Sequence, residues 1–139
     1  MASFKTKVSE HLDDIKNAEK IILPNVGKIL RSDIRRKMMD QVDVNNNAYT
    51  PLSNQYAKYV YSTNPTYKTL VSHSGKLFNS INWEIIGSTL RIYSDSEYGM
   101  YHNEGTDHIP QRQFIPDENS EMIKDAFKKA IIKFINDKK

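Results

Sequence analysis

The chain has 139 residues, a length that buries one hydrophobic core rather than two, so it reads as a single domain over 1–139. Apolar residues make up 38% and charged residues 27%, the balance of a water-soluble globular protein, and the absence of cysteine excludes disulfides, thiolate metal sites and a cysteine nucleophile. Twenty basic residues against 17 acidic ones leave a formal charge of +3, too even a mixture to create a strong field over the whole surface. Apolar runs are only a few residues long, which argues against a secretion signal and a membrane span.

From Phe4, apolar residues recur at Val8, Leu12, Ile15, Ala18 and Ile22 with Lys, Asp and Glu between them, the spacing of an amphipathic helix. Pro24 lacks a backbone donor and restricts Leu23, so a kink or break is expected between Leu23 and Asn25. The stripe resumes at Val26, Leu30, Ile34 and Met38, giving a second helical segment to about Met39 and a helical region over about 3–40. An α+β core follows over about 48–139. Before it, the Asn-rich stretch from Val42 to Thr50 reads as a loop closed by Pro51.

Ser53 is placed to cap a short helix through Tyr56, Ala57 and Tyr59 to Tyr61, although Tyr and Val also suit a strand. Thr63 to Thr66 is a turn, and Tyr67 to Val71 could be extended before the Ser-rich Ser72 to Gly75. The clearest β signal comes next. Ile81, Trp83 and Ile85 alternate with Asn82 and Glu84, and Leu90 and Ile92 alternate with Thr89, Arg91 and Tyr93. Gly87-Ser88 between the runs suits a type II′ turn, which predicts a hairpin at about 81–93. Such a ribbon is barely stable alone and must pack on other elements.

A last helix is expected after Pro116 to Glu121, with acidic residues in its first turn, Ile123, Phe127, Ala130, Ile131 and Phe134 on one face, and an end near Ile135. Lys138 and Lys139 suit its C-terminal side. The fold class is α+β: amphipathic N-terminal helices and a C-terminal helix packed on a small antiparallel sheet containing the hairpin.

His102, Glu104, Asp107 and His108 crowd four potential metal donors into seven positions. Their spacing is not the helical His-Glu-x-x-His arrangement, and Gly105 interrupts any helix that would present such a pair, so a polar loop is the better reading. His73 between Ser72 and Ser74 lacks a facing base and orienter for nucleophilic catalysis. The five glycines are scattered singly, which leaves no phosphate-cradling loop. No metal, cofactor or catalytic residue is therefore assigned. Arg31, Arg35, Arg36 and Lys37 form a basic run able to touch phosphate, yet basic residues also fill ordinary solvated helix faces. Eight tyrosines, five of them between Tyr49 and Tyr67, suit protein interfaces as well as core edges.

Five segments stand in order along the chain: Ile34 to Met38 ending the helical third; Tyr49 with Pro51-Leu52-Ser53; Ser74-Gly75-Lys76-Leu77; Tyr98 to Gly105; and Pro110-Gln111-Arg112-Gln113-Phe114 before the last helix. Together they resemble the phage virion morphogenesis family of tail-completion proteins, from about Ile29 to the end. Tyr49 stands where that family more often has Trp, and Gly99 where it has Ala. The resemblance implies a non-enzymatic neck or tail protein, located in the virion and assembled in the host cytoplasm. It implies a ring of subunits, hexameric, joining tail to head. Its partners would be copies of itself and neighbouring head-closure or connector and tail-terminator proteins, with no membrane involved; the alternative reading is a DNA-contacting module on the channel side of the ring, and a third, less supported one is a metal-dependent hydrolase at the His102 cluster. On that resemblance Tyr49, Tyr98, His102, Gly105, Arg112 and Phe114 are candidate interface residues. Gly105 permits a positive φ and Pro110 stiffens the following loop. Phe114 anchors that loop in the core. Arg112 offers a planar charged fork to a neighbouring subunit, so that Arg112→Ala is expected to leave the monomer folded but block assembly.

Overall fold

The computed structural model describes residues 4–72 and 75–137, with side chains from residue 13 onward. Its elements are helix α1 (Phe4–Met39), helix α2 (Asn54–Thr63), a 3-10 turn (Phe78–Ser80), strands β1 (Ile81–Ile86) and β2 (Thr89–Ser94), helix α3 (Glu97–Glu104) and helix α4 (Glu121–Asp137). This is the expected α+β class, helices packed around a two-stranded antiparallel hairpin. None of the described helices is long and apolar enough to cross a membrane.

The expected interruption at Pro24 is absent, and α1 runs unbroken across it. An interior proline costs a helix about 3 kcal/mol. Leu23, Val26, Leu30, Ile34 and Met38 are all buried on one stripe that passes the proline without changing face. At roughly 1.5 to 3 kcal/mol for each buried side chain, that burial outweighs the lost hydrogen bond several-fold. The stripe is the centre of the core, which Val44, Tyr49, Leu70, Ile81, Phe114, Met122, Ala126 and Ala130 complete.

The hairpin forms in the expected register, with Trp83 opposite Ile92, Ile85 opposite Leu90 and Ile86 opposite Thr89 across a two-residue turn. Gly87 there has φ +61°. Ile81, Trp83, Ile85, Leu90 and Ile92 share one face, and both strands pack on α1. The other face carries Glu84, whose carboxylate pairs with Arg91 at 2.9 Å, and the Arg91 guanidinium lies over the Tyr93 ring. Trp83 approaches α1 at Gly27, where an added Cβ would stand 2.4 Å from the Trp83 Cδ2 atom. Gly27 is therefore the notch that seats the hairpin on the helix.

Helix α4 also packs on α1, by a face that shares Ala130, Ile123 and Phe127 with the one the spacing suggests but is centred nearer Met122 and Ala126. Met122, Ala126 and Ala130 are buried, Ile123 and Phe127 are half-buried, and Ile131 is exposed. Two alanines allow close approach of the helix axes, which turns the larger apolar residues toward the edge of the contact. The helix begins at Glu121, and Ser120 Oγ accepts from the Ile123 amide at its start. The lysines expected beyond its end, Lys138 and Lys139, lie outside the described residues.

Ser53 caps α2 by accepting from the Tyr56 amide, so this segment is the helix and not the strand. The stretch Tyr67 to Val71, read as able to extend, is instead a turn. Ser72 Oγ accepts from the Lys68 amide at 2.7 Å, the Lys68 carbonyl accepts from Val71 and Ser72, and Leu70 adopts φ +68°. Gln41 fixes the same segment to the end of α1: its carboxamide donates to the Thr69 carbonyl and accepts from the Thr69 amide, each at 2.8 Å. His73 and Ser74 lie outside the described residues.

Candidate docking site around Arg112

The stretch from Tyr98 to Glu104 is helical, contrary to the loop expected for it. Gly99 is the reason this short helix sits so close to the hairpin. It is buried, and a Cβ there would come 2.7 Å from Ser94 Oγ and 3.3 Å from Leu77. Ser94 Oγ is itself bonded to Ser80 Oγ at 2.6 Å. The departure from Ala at this position thus matches a hydroxyl that occupies the space of a methyl group.

The helix stops at Gly105, which takes φ +78° while its amide donates to the Tyr101 carbonyl. An added Cβ would stand 3.0 Å from the Gln111 backbone nitrogen, so the position favours glycine by both conformation and space. Thr106 Oγ1 then accepts from the His108 and Ile109 amides and turns the chain back. The returning segment is clasped by the end of α3. The Arg112 amide donates to the His102 carbonyl at 2.7 Å, and Asn103 Oδ1 accepts from the Phe114 and Ile115 amides at 3.0 and 2.9 Å. In the sequence Asn103 carries no periodic or chemical signature of this role. Its only signal there is its place inside the motif.

Arg112 is 6% exposed. Its Nε and Nη2 atoms both donate to the Thr50 carbonyl, at 2.9 and 2.7 Å, and Nη2 also reaches the Pro51 carbonyl at 3.4 Å. The fork assigned to a neighbouring subunit is therefore engaged in its own chain, because the loop after Tyr49 brings two bare carbonyls against it. No ion pair joins it to a carboxylate among the described residues. Burial lowers its pKa from the ordinary value, and Tyr67 and Tyr49 oppose that shift. Burial, reinforced by Asp43 and opposed by Arg112, pushes the Tyr49 phenol well above its usual range. The Tyr49 hydroxyl and His102 Nδ1 are buried without a hydrogen-bond partner among the described residues. Burial first, and then the Arg112 charge, lowers the His102 pKa.

The six candidate interface residues thus separate. Tyr49, Arg112 and Phe114 are buried and hold the loops together from inside, while His102 and Gly105 are half-buried where α3 ends. Tyr98 is 69% exposed and shares the open side of α3 with Met100 and Tyr101. A second aromatic surface, Tyr56, Tyr59 and Tyr61, is exposed on α2, with Tyr56 and Tyr59 stacked at 6.5 Å.

The other candidates do not converge. Among the described residues no group of three or more His, Asp or Glu could hold a metal ion, and Glu104, Asp107 and His108 are exposed around the turn. In the basic run, Arg31 Nε donates to the Ile81 carbonyl at 2.9 Å and Arg35 lies 5.3 Å from the Phe78 ring centre. Arg36 pairs with Asp33 at 3.0 Å and Lys37 donates to Asn46. All four serve intramolecular contacts.

Fold and site together define a small α+β protein whose shaped loop is braced internally and whose aromatic faces point outward. The model of the phage virion morphogenesis family matches residues 3–131, and the chain belongs to that family. The match takes in all of α1, further toward the N-terminus than the motifs from Ile29 onward. No curated protein and no solved structure matches the chain. Its role is a structural or assembly role in the phage virion.

Proposed function

We propose that the chain is a non-enzymatic subunit of the virion neck or tail, acting in tail completion and head-tail joining as part of a hexameric ring. The observation that supports this most is the pairing of family membership with a motif used internally. Arg112, Tyr49, Asn103 and Phe114 fix the loops, and the fixed loops hold the exposed aromatic sides of α2 and α3 in place. Tyrosine contributes large contact area at low entropic cost, which suits a surface that binds only when neighbouring parts are complete. The partners in this reading are further copies of the chain and the adjoining head-closure, connector and tail-terminator proteins. Assembly takes place in the host cytoplasm.

Electron microscopy of lysates from phage lacking the chain tests this reading. Filled heads and separate, finished tails are the expected result. Fully joined particles in normal yield would reject it. Contact with channel DNA through Arg31, Arg35, Arg36 and Lys37 has less support, since Arg31, Arg36 and Lys37 each have a polar partner within the chain and Arg35 lies over the Phe78 ring with its Nε buried.

A further inference from the structure

One end of α1 and one apolar cleft of this chain lie where a single copy cannot bring them together. From Asp13 to Asn17 all five side chains are exposed, and five successive residues exceed a full helical turn. At that level α1 stands clear of the body except where Ile15 reaches the rim of the cleft at the helix's foot. Its 36 residues span about 54 Å, whereas a compact chain of 139 residues is about 37 Å across. The N-terminal part of α1 is therefore a projecting arm. Its sequence places Phe4, Val8, Leu12 and Ile15 at the spacing of one helical stripe, and Ile15 is 63% exposed.

At the foot of the arm lies an open cleft of about 1030 Å³ between α1, the hairpin and α4. Ile22, Leu90, Ile92, Ile123 and Phe127 line it, with Ile86 and Ile131 exposed among its lining residues. The charged groups there, Glu19, Arg91 and Glu118, are of mixed sign. The arm from Lys5 to Lys16 carries three lysines and three acidic residues, so it meets that mixture without net repulsion. A polyanion would meet apolar walls and carboxylates instead. Because α1 is continuous, the arm cannot fold back into the cleft at its own foot.

We infer that the arm of one copy packs its apolar stripe into the cleft of the next copy, head to tail. A heterologous contact of this kind builds a ring when its rotation closes. The inference rests on the ring reading above and gives it a specific interface.

The natural absence of cysteine makes single-cysteine variants clean reporters. Val8→Cys and Ile131→Cys chains, full length, are mixed and oxidised both as purified protein and in particles assembled from the two together. A disulfide-linked dimer between the two different variants, lost when Ile15→Asp is added to the Val8→Cys chain, is expected in at least one of the two preparations. A product made only of Val8→Cys chains joined to each other would overturn the inference, since the arms would then pair symmetrically. So would the absence of any mixed dimer in both preparations. Heads and tails left apart in lysates lacking the chain keep the tail-joining reading even then, so the two failures are distinguishable.

Discussion

Arg112 illustrates how one side chain can be read correctly in chemistry and wrongly in address. Its planar fork does grip a carbonyl, but the carbonyl belongs to Thr50 of the same chain. Hydrogen bonds from a charged group are worth about 1.5 to 3 kcal/mol, and truncation also strands the Thr50 carbonyl. Arg112→Ala is thus expected to destabilise the folded monomer by about 2 to 4 kcal/mol in urea unfolding. Arg112→Lys should recover only part, because one ammonium cannot reproduce two parallel bonds. Unchanged stability in Arg112→Ala would return the residue to an intermolecular role.

His102 links the same site to pH. Its folded pKa lies below the ordinary 6.5 because burial and Arg112 disfavour the cation. The unfolded chain then binds the proton more readily, so stability rises with pH in the interval between the two values. The contribution is fully present above about 6.5 and is lost as pH falls toward the folded value. His102→Gln should flatten that acid-side decline in a series of thermal melts. An identical decline in wild type and variant would assign the proton uptake to other groups.

At the scale of elements, the parts legible in the sequence are those with a strong period. The hairpin declares itself by alternation and by Gly87-Ser88, and α1 by its stripe. Continuity through Pro24 was not legible, because the local cost of a proline is visible in sequence while the burial of five side chains that offsets it is not. Helix α3 was missed for a different reason. Its residues are mostly polar or exposed, and its interior holds Gly99, so it lacks a helical stripe. The motif order pointed to the right region of the site, yet Asn103 and Gln41 escaped notice, since a carboxamide that clasps distant backbone has no periodic signature. The α1–hairpin contact also rests on a residue that spacing alone overlooks. Gly27→Ala should displace Trp83, the single tryptophan, and shift its fluorescence to longer wavelength. An unshifted spectrum would mean that the helix and strand can separate without exposing the ring.

At the scale of the whole molecule, the described residues form one continuous core from Val26 to Ala130, and the features left over lie on its outside. They are the aromatic sides of α2 and α3, the projecting end of α1, and the apolar cleft beside it. A monomer gains nothing from such surfaces, whereas a virion subunit with neighbours on several sides can use each of them. The most direct measurement is cryo-electron microscopy of the intact particle. Copies of this chain are expected in one closed hexameric ring between head and tail, with Tyr98 and Tyr59 at protein contacts. Copies dispersed through the capsid shell, or a finished particle that contains none, would contradict that arrangement.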